Sequence, residues 1–243
     1  MTAYSTVPAV PNFRRWRQFF WHRPEWWVLV LCAIGWRAML LHSWRHASHG
    51  IHHWMSFSEE LQSWMLMVFA MMLPLVRDAV RATAFASLWA RRHRAMAGFL
   101  LGYSAPWLAI GLAVAALRGQ AWTHTYGVPA LLFLLAALWQ LTPLHAVALV
   151  SCHRSMPLAP RGWLADRDCF RFGGNIGLAC VSSCWPLMLA CAFAGHDVVA
   201  MVGGMALGLA ERKPFRPRTR LVLIGTLLLA GYYAVLATSH HIG

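Results

Sequence analysis

Apolar residues in this chain fall in long uninterrupted blocks separated by short polar, arginine-rich or histidine-rich segments. Half-buried strands would instead alternate with a period of two, and no such alternation is sustained here. The blocks run about Glu25–Leu41, Glu60–Val80, Ala97–Leu117, Val128–Val150, Phe172–Ala194, Val198–Ala210 and Leu221–Leu236. Lengths of roughly 20 apolar residues match the thickness of a bilayer's hydrocarbon core, where a helix satisfies its own backbone. The pattern predicts an all-α fold: a polytopic transmembrane helical bundle of about seven spans. The second block is expected to continue as a helix towards Trp89. The sixth is short enough to be re-entrant. Pro186 lies inside the fifth, where a proline frees a carbonyl and can kink a helix. The whole chain, 1–243, reads as one membrane domain, with a basic segment over 1–24 and the bundle over 25–243. The first block is expected to be a retained signal-anchor, bordered by Trp26 and Trp27 as interface anchors.

Composition agrees with the pattern. The chain is 59% hydrophobic and 12% charged, with mean hydropathy +0.50, and a soluble domain carries about twice that charged fraction. The net charge of +13 does not point to nucleic acid, because the basic residues border the blocks and no nucleic-acid motif is present. Of the 21 Lys and Arg residues, 18 fall in the segments that would share one side. The positive-inside rule therefore puts the N-terminus in the cytoplasm and, with seven spans, the C-terminus outside. Gly98 and Gly102, Gly173 and Gly177, and Gly204 and Gly208 recur at four-residue spacing, which lets helices approach closely. Contacts within the chain and between chains of an oligomer are both compatible with that.

The candidate chemistry is soft and sulfur-based. Cys180, Cys184, Met188 and Cys191 are spaced four, four and three, so a helix stacks them on one face. Met67 and Met71 sit one turn apart in the second block, flanked by Met65 and Met72, and Met201 and Met205 repeat the spacing in the sixth. Buried cysteine and methionine more often fill space than bind ligands. Yet thiolate and thioether are the donors that select monovalent copper, and three blocks carry them. Histidine shows the opposite bias to arginine. His42, His46, His49 and His53, spaced four, three and four, would share one outward face if the first helix continues, and imidazole suits copper, zinc or iron. Cys152, His153 and Cys169 border the loop before the fifth block as a cytoplasmic thiol and imidazole candidate set. Arginines near Glu211 are its expected partners. No Gly-rich phosphate loop, nucleophile elbow or zinc-protease motif occurs.

The segments WMLMVFAMMLP (Trp64 to Pro74), FLLGYSAPW (Phe99 to Trp107), WQLTPL (Trp139 to Leu144), SCHRSMPLAPRGWLADRDCFRFG (Ser151 to Gly173) and ACVSSCWPLML (Ala179 to Leu189) together resemble the predicted metal-binding integral membrane proteins of bacteria, a domain of unknown function. The resemblance covers roughly Ser63 to Arg212. It implies a multi-pass bacterial inner (cytoplasmic) membrane protein that binds a metal. Its matching positions include Trp64, Met67, Met71, Met72, Pro74, Gly102, Tyr103, Trp107, Thr142, Pro143, Cys152, Cys169, Cys180, Cys184, Trp185 and Met188. Asn175, Ile176 and His145 depart from the family pattern.

The resulting expectation is a membrane copper-handling protein, for transport or for delivery to a membrane or periplasmic oxidase. Cys180, Cys184, Met188 and Cys191 are its intramembrane ligands, Met67 and Met71 face them, and His42, His46, His49 and His53 collect metal outside. No catalytic residue is assigned. Besides the lipid bilayer, a membrane or periplasmic protein partner is expected. Two other classes stay open: an anchoring subunit of a larger complex with no metal of its own, and an oxidoreductase subunit with haem or a di-metal centre.

Overall fold

The computed structural model describes residues 23–47, 56–118, 127–159, 161–212 and 219–242. Among these, α-helix is the dominant element and no strand occurs. The helices are α1 (Trp26–Ala47), α2 (Phe57–Met72), α3 (Arg77–Ala86), α4 (Arg92–Arg118), α5 (Gly127–Gln140), α6 (Pro143–Ser151), α7 (Gly162–Phe193), α8 (Val198–Glu211) and α9 (Thr219–Ile242). Helix α7 is the axis: α4, α5, α6 and α8 all pack on it, while α1 lies on α2, and α9 on α5 and α8.

Each apolar block of the sequence is helical, but two are broken. Among the described residues, three helices are long and apolar enough by themselves to cross a membrane, and up to five if each bent pair counts as one span. The remaining two apolar segments, Trp26–Leu41 and Val198–Glu211, are shorter. The second block does not run on as one helix. Pro74 cannot donate a backbone hydrogen bond, a 3-10 turn at Pro74–Val76 follows α2, and α3 leaves at 44°. The fourth block turns by 80° at Thr142. There Thr142 caps α6, its hydroxyl accepting from the His145 N–H at 3.2 Å, with Pro143 in the first turn where a missing N–H costs nothing.

Two prolines, Pro74 and Pro186, are matched by side-chain donors. Pro74 leaves the Ala70 carbonyl without its helical partner, and the Cys32 thiol of α1 donates to it at 3.2 Å. Pro186 leaves the Ser182 carbonyl free, and the Trp139 indole N–H donates to it at 3.1 Å. The Trp139 and Trp185 rings meet edge to face at 5.6 Å. With that carbonyl satisfied, α7 continues through Pro186 as one helix of 32 residues.

Helices α4 and α7 meet backbone to backbone. A Cβ on Gly173 would collide with the Phe99 carbonyl, one on Gly102 with the Phe170 carbonyl, and one on Gly177 would lie 2.7 Å from the Tyr103 carbonyl. The small-residue spacing of the sequence thus becomes an intrachain contact. At the other end of α7, Gly195 and His196 take positive φ values of 71° and 59°, and Asp197 caps α8 while accepting the Tyr233 hydroxyl at 2.7 Å. The enclosed core holds Trp64, Phe99, Tyr103, Trp107 and Phe133 with Met67, Met71, Met72, Met96 and Met188. Trp64 is fixed by its indole donating to the Trp107 carbonyl at 2.9 Å.

The α4–α7 contact predicts a sharp positional contrast. Gly173→Leu should destabilise the fold by more than the about 1–3 kcal/mol typical of overpacking, because the obstacle is backbone. Gly174→Ala, whose Cβ would meet only the Gly102 carbonyl at 3.8 Å, should leave thermal unfolding of the detergent-solubilised protein unchanged. Equal melting temperatures for both variants would refute this packing.

Candidate sulfur site at the end of the bundle

The polar interior of the fold gathers where α6, α7, α8 and the Pro74 break come together. Cys180 and Cys184 lie one turn apart on α7, on the face that α7 turns to the core, and both are buried. The Cys180 sulfur accepts the Tyr103 hydroxyl at 3.2 Å and Arg212 Nη2 at 2.9 Å, and lies 3.8 Å from Met72 Sδ. Tyr103 reaches this position because the glycines bring α4 against α7 one turn away, and Phe99 stacks on its ring.

Arg212 ends α8, and its guanidinium turns inward. Nη2 donates to Cys180 and also to the Cys152 sulfur at 3.4 Å, while Nη1 donates to the Leu75 carbonyl at 3.3 Å. Three separate chain segments therefore supply acceptors to one cation. A guanidinium in hydrogen-bond contact with two sulfurs favours the thiolate, which is the metal-binding form of cysteine. Cys152 caps α6. Burial pushes its thiol up from the ordinary range, against the pull of Arg212. Ser183 stands between Cys152 and Cys184, its hydroxyl oxygen 3.8 Å from one sulfur and 3.3 Å from the other, while it donates to the Cys180 carbonyl at 3.0 Å. Next to this group, His145 Nε2 lies 3.6 Å from Glu211 Oε2, so among the described residues the ion-pair partner of Glu211 is an imidazole and not an arginine.

The residues expected from the sequence fall into separate places. Cys180 and Cys184 belong to the cluster just described. Cys191, nearer the α7–α8 turn, donates to the Ala200 carbonyl at 3.3 Å. Met71 is its neighbour: a Cβ on Gly204 would lie 2.9 Å from the Met71 methyl and 3.0 Å from the Cys191 sulfur. Met67 and Met188 are fully enclosed in the same core. The methionine that meets Cys180 is Met72. His42 and His46 lie on α1; His49 and His53 lie outside the described residues. Cys169, grouped by sequence with Cys152 and His153, packs against Gly98 of α4. Among the described residues, no three His, Cys, Asp or Glu side chains are grouped to hold a metal ion. The donor set on offer is accordingly two neighbouring thiols with a thioether, a combination that suits a soft monovalent ion of low coordination number and not a tetrahedral zinc.

Reading the sequence for ligands passes over Arg212, because in a list of charges it looks like one more orientation signal. It also leaves Ser183 unmarked. Tyr103, Cys152 and Met72 carry a signal only through the motifs in which they stand.

No curated protein and no solved structure matches the chain. A family model described as copper chaperone, PpoB2, matches residues 61–235, which takes in α3 to α8 whole and the entire sulfur cluster. With that match extending over well more than half of its length, the chain belongs to the PpoB2 family of copper chaperones.

Proposed function

We propose that this chain is a membrane-embedded chaperone for monovalent copper, which holds the ion between Cys180 and Cys184 with Met72 as a third, thioether donor. The observation that carries the reading is the Arg212 guanidinium, 2.9 Å from the Cys180 sulfur inside the bundle. Two thiolates, one Cu(I) and one guanidinium sum to zero formal charge. Neutrality matters here, because uncompensated charge in a low-dielectric core costs several kcal/mol. The family match supports copper as the cargo. The three to five helices of spanning length, together with the arginine bias, support an integral membrane protein with its N-terminus in the cytoplasm.

In this reading seven helical segments lie in or dip into a bacterial inner membrane. Met67, Met71, Met188 and Cys191 continue the sulfur lining from the holding pair along the core. His42, His46, His49 and His53 are the residues proposed to collect the metal on the outer side. The chaperone carries copper and does no redox chemistry itself: Cu(I) stays monovalent and moves by ligand exchange. Its acceptor is a copper protein in or beside the same membrane, with an oxidase as the expected class.

Protein purified under reducing conditions and loaded with Cu(I) should retain about one copper per chain, the number that two thiolates and a thioether can hold as one site. The double variant Cys180→Ser, Cys184→Ser should retain none above background by elemental analysis; undiminished copper would remove the site. Arg212→Met tests the charge argument separately. Loss of a partner that supports a ligand typically costs about 10–100-fold in metal affinity, and Arg212→Met should fall in that range in competition titrations, with Arg212→Lys recovering part of the loss. Full affinity in Arg212→Met would leave the guanidinium with a purely structural role.

A further inference from the structure

Cys152 is not needed for the two-thiol, one-thioether site, yet it is held against that site by two independent contacts. One nitrogen of Arg212 bonds both Cys180 and Cys152. One hydroxyl, that of Ser183, touches both Cys184 and Cys152. Cys152 also stands at a border. Cys180 and Cys184 are enclosed on α7, whereas Cys152 ends α6 and is followed at once by exposed His153, Arg154 and Ser155. Further along the same segment, Met156 Sδ accepts from Asn175 Nδ2 of α7 at 3.2 Å, which ties the segment to the helix that bears the holding pair. The three thiols are not grouped as one ligand set, so a static trigonal site does not account for the arrangement.

We propose that Cys152 is a transfer ligand, which moves Cu(I) between the Cys180–Cys184 pair and the exposed segment that follows α6. This rests on the copper reading given above. The step is a ligand exchange with no electron transfer. The bond from copper to the Cys184 sulfur breaks as a bond to the Cys152 sulfur forms. The proton lost by the Cys152 thiol passes to the Ser183 hydroxyl oxygen as the Ser183 O–H turns from the Cys180 carbonyl to the Cys184 sulfur and gives up its own proton there. Copper stays monovalent and the charge of the cluster does not change. Arg212 keeps its contacts with Cys180 and Cys152 throughout, so the partly transferred ion is never an unbalanced charge. Completing the transfer requires only that Cys180 be exchanged in turn for a donor outside the core, on the segment or on the acceptor.

The test separates holding from moving. The full chain in detergent, loaded with Cu(I), is mixed rapidly with excess of a water-soluble Cu(I) chelator whose copper complex absorbs visible light, and the release rate is followed. Cys152→Ser should keep the wild-type copper content and affinity but release on the order of tenfold more slowly, the lower end of the range for loss of a supporting group. Uptake should slow by the same factor, since the affinity is unchanged. Ser183→Ala should slow release with Cys152 intact, and its size-exclusion profile should match wild type. Wild-type release rates in Cys152→Ser would overturn the proposal. So would loss of copper from Cys152→Ser to the level of the Cys180, Cys184 double variant, which would make it a holding ligand. A wild-type chain that takes up no copper would instead overturn the reading on which this proposal rests.

Discussion

A guanidinium cannot be left alone in an apolar interior. Removing it from water costs several kcal/mol unless acceptors or negative charge surround it, and the end of this bundle is arranged around that requirement. Arg212 takes its acceptors from the Leu75 carbonyl at the Pro74 break, from Cys152 at the end of α6 and from Cys180 on α7. None of these is a carboxylate. The Glu211 carboxylate next to Arg212 in sequence is turned to His145. A cation given sulfur partners where a carboxylate was within reach favours thiolates, and thiolates are what bind a soft metal. The same contact thus ties together a structural demand and a chemical capacity.

The broken helices serve this arrangement. A continuous helix through Pro74 would carry the Leu75 carbonyl within its regular ladder, and the turn at Pro74 is what offers it to Arg212. Pro74 and Pro186 each deprive a carbonyl of its partner, and the fold answers with side-chain donors, Cys32 to Ala70 and Trp139 to Ser182. The second donor is important for the sulfur cluster. It leaves α7 straight enough that Cys180 and Cys184 stay stacked over one turn, with Ser183 beside them. The glycine contact between α4 and α7 has a comparable effect at longer range. It brings the Tyr103 backbone against Gly177, and so its hydroxyl to Cys180. In a chain with larger residues at those positions, Tyr103 would stand too far away to donate.

Much of this was legible in the pattern of residues. Blocks of apolar sequence announce helices, because a backbone shut off from water by apolar side chains must satisfy its own hydrogen bonds. The four-residue spacing of Gly173 and Gly177 announces a close helix contact. The spacing of Cys180 and Cys184 fixes their shared face, because 3.6 residues make a turn. The sulfur side chains of the interior blocks are donors that suit a soft metal. These are local properties, and a linear sequence contains them in full.

What the sequence could not decide is which residues far apart in number come to one point. Arg212 is indistinguishable in sequence from the other arginines that border apolar blocks; only the packing of α8 beside α7 turns it inward. Met67, Met71 and Met72 are equivalent thioethers in a list, and the rotation of α2 about its own axis puts Met72 against Cys180 and Met71 against Cys191. Cys152 and Cys169 flank one loop and read as a pair, yet the turn at Thr142 carries the first to Arg212 while the second faces Gly98. Helix identity follows from short-range chemistry, whereas azimuth and partner follow from the simultaneous packing of all the helices, and that is settled only when the chain is folded.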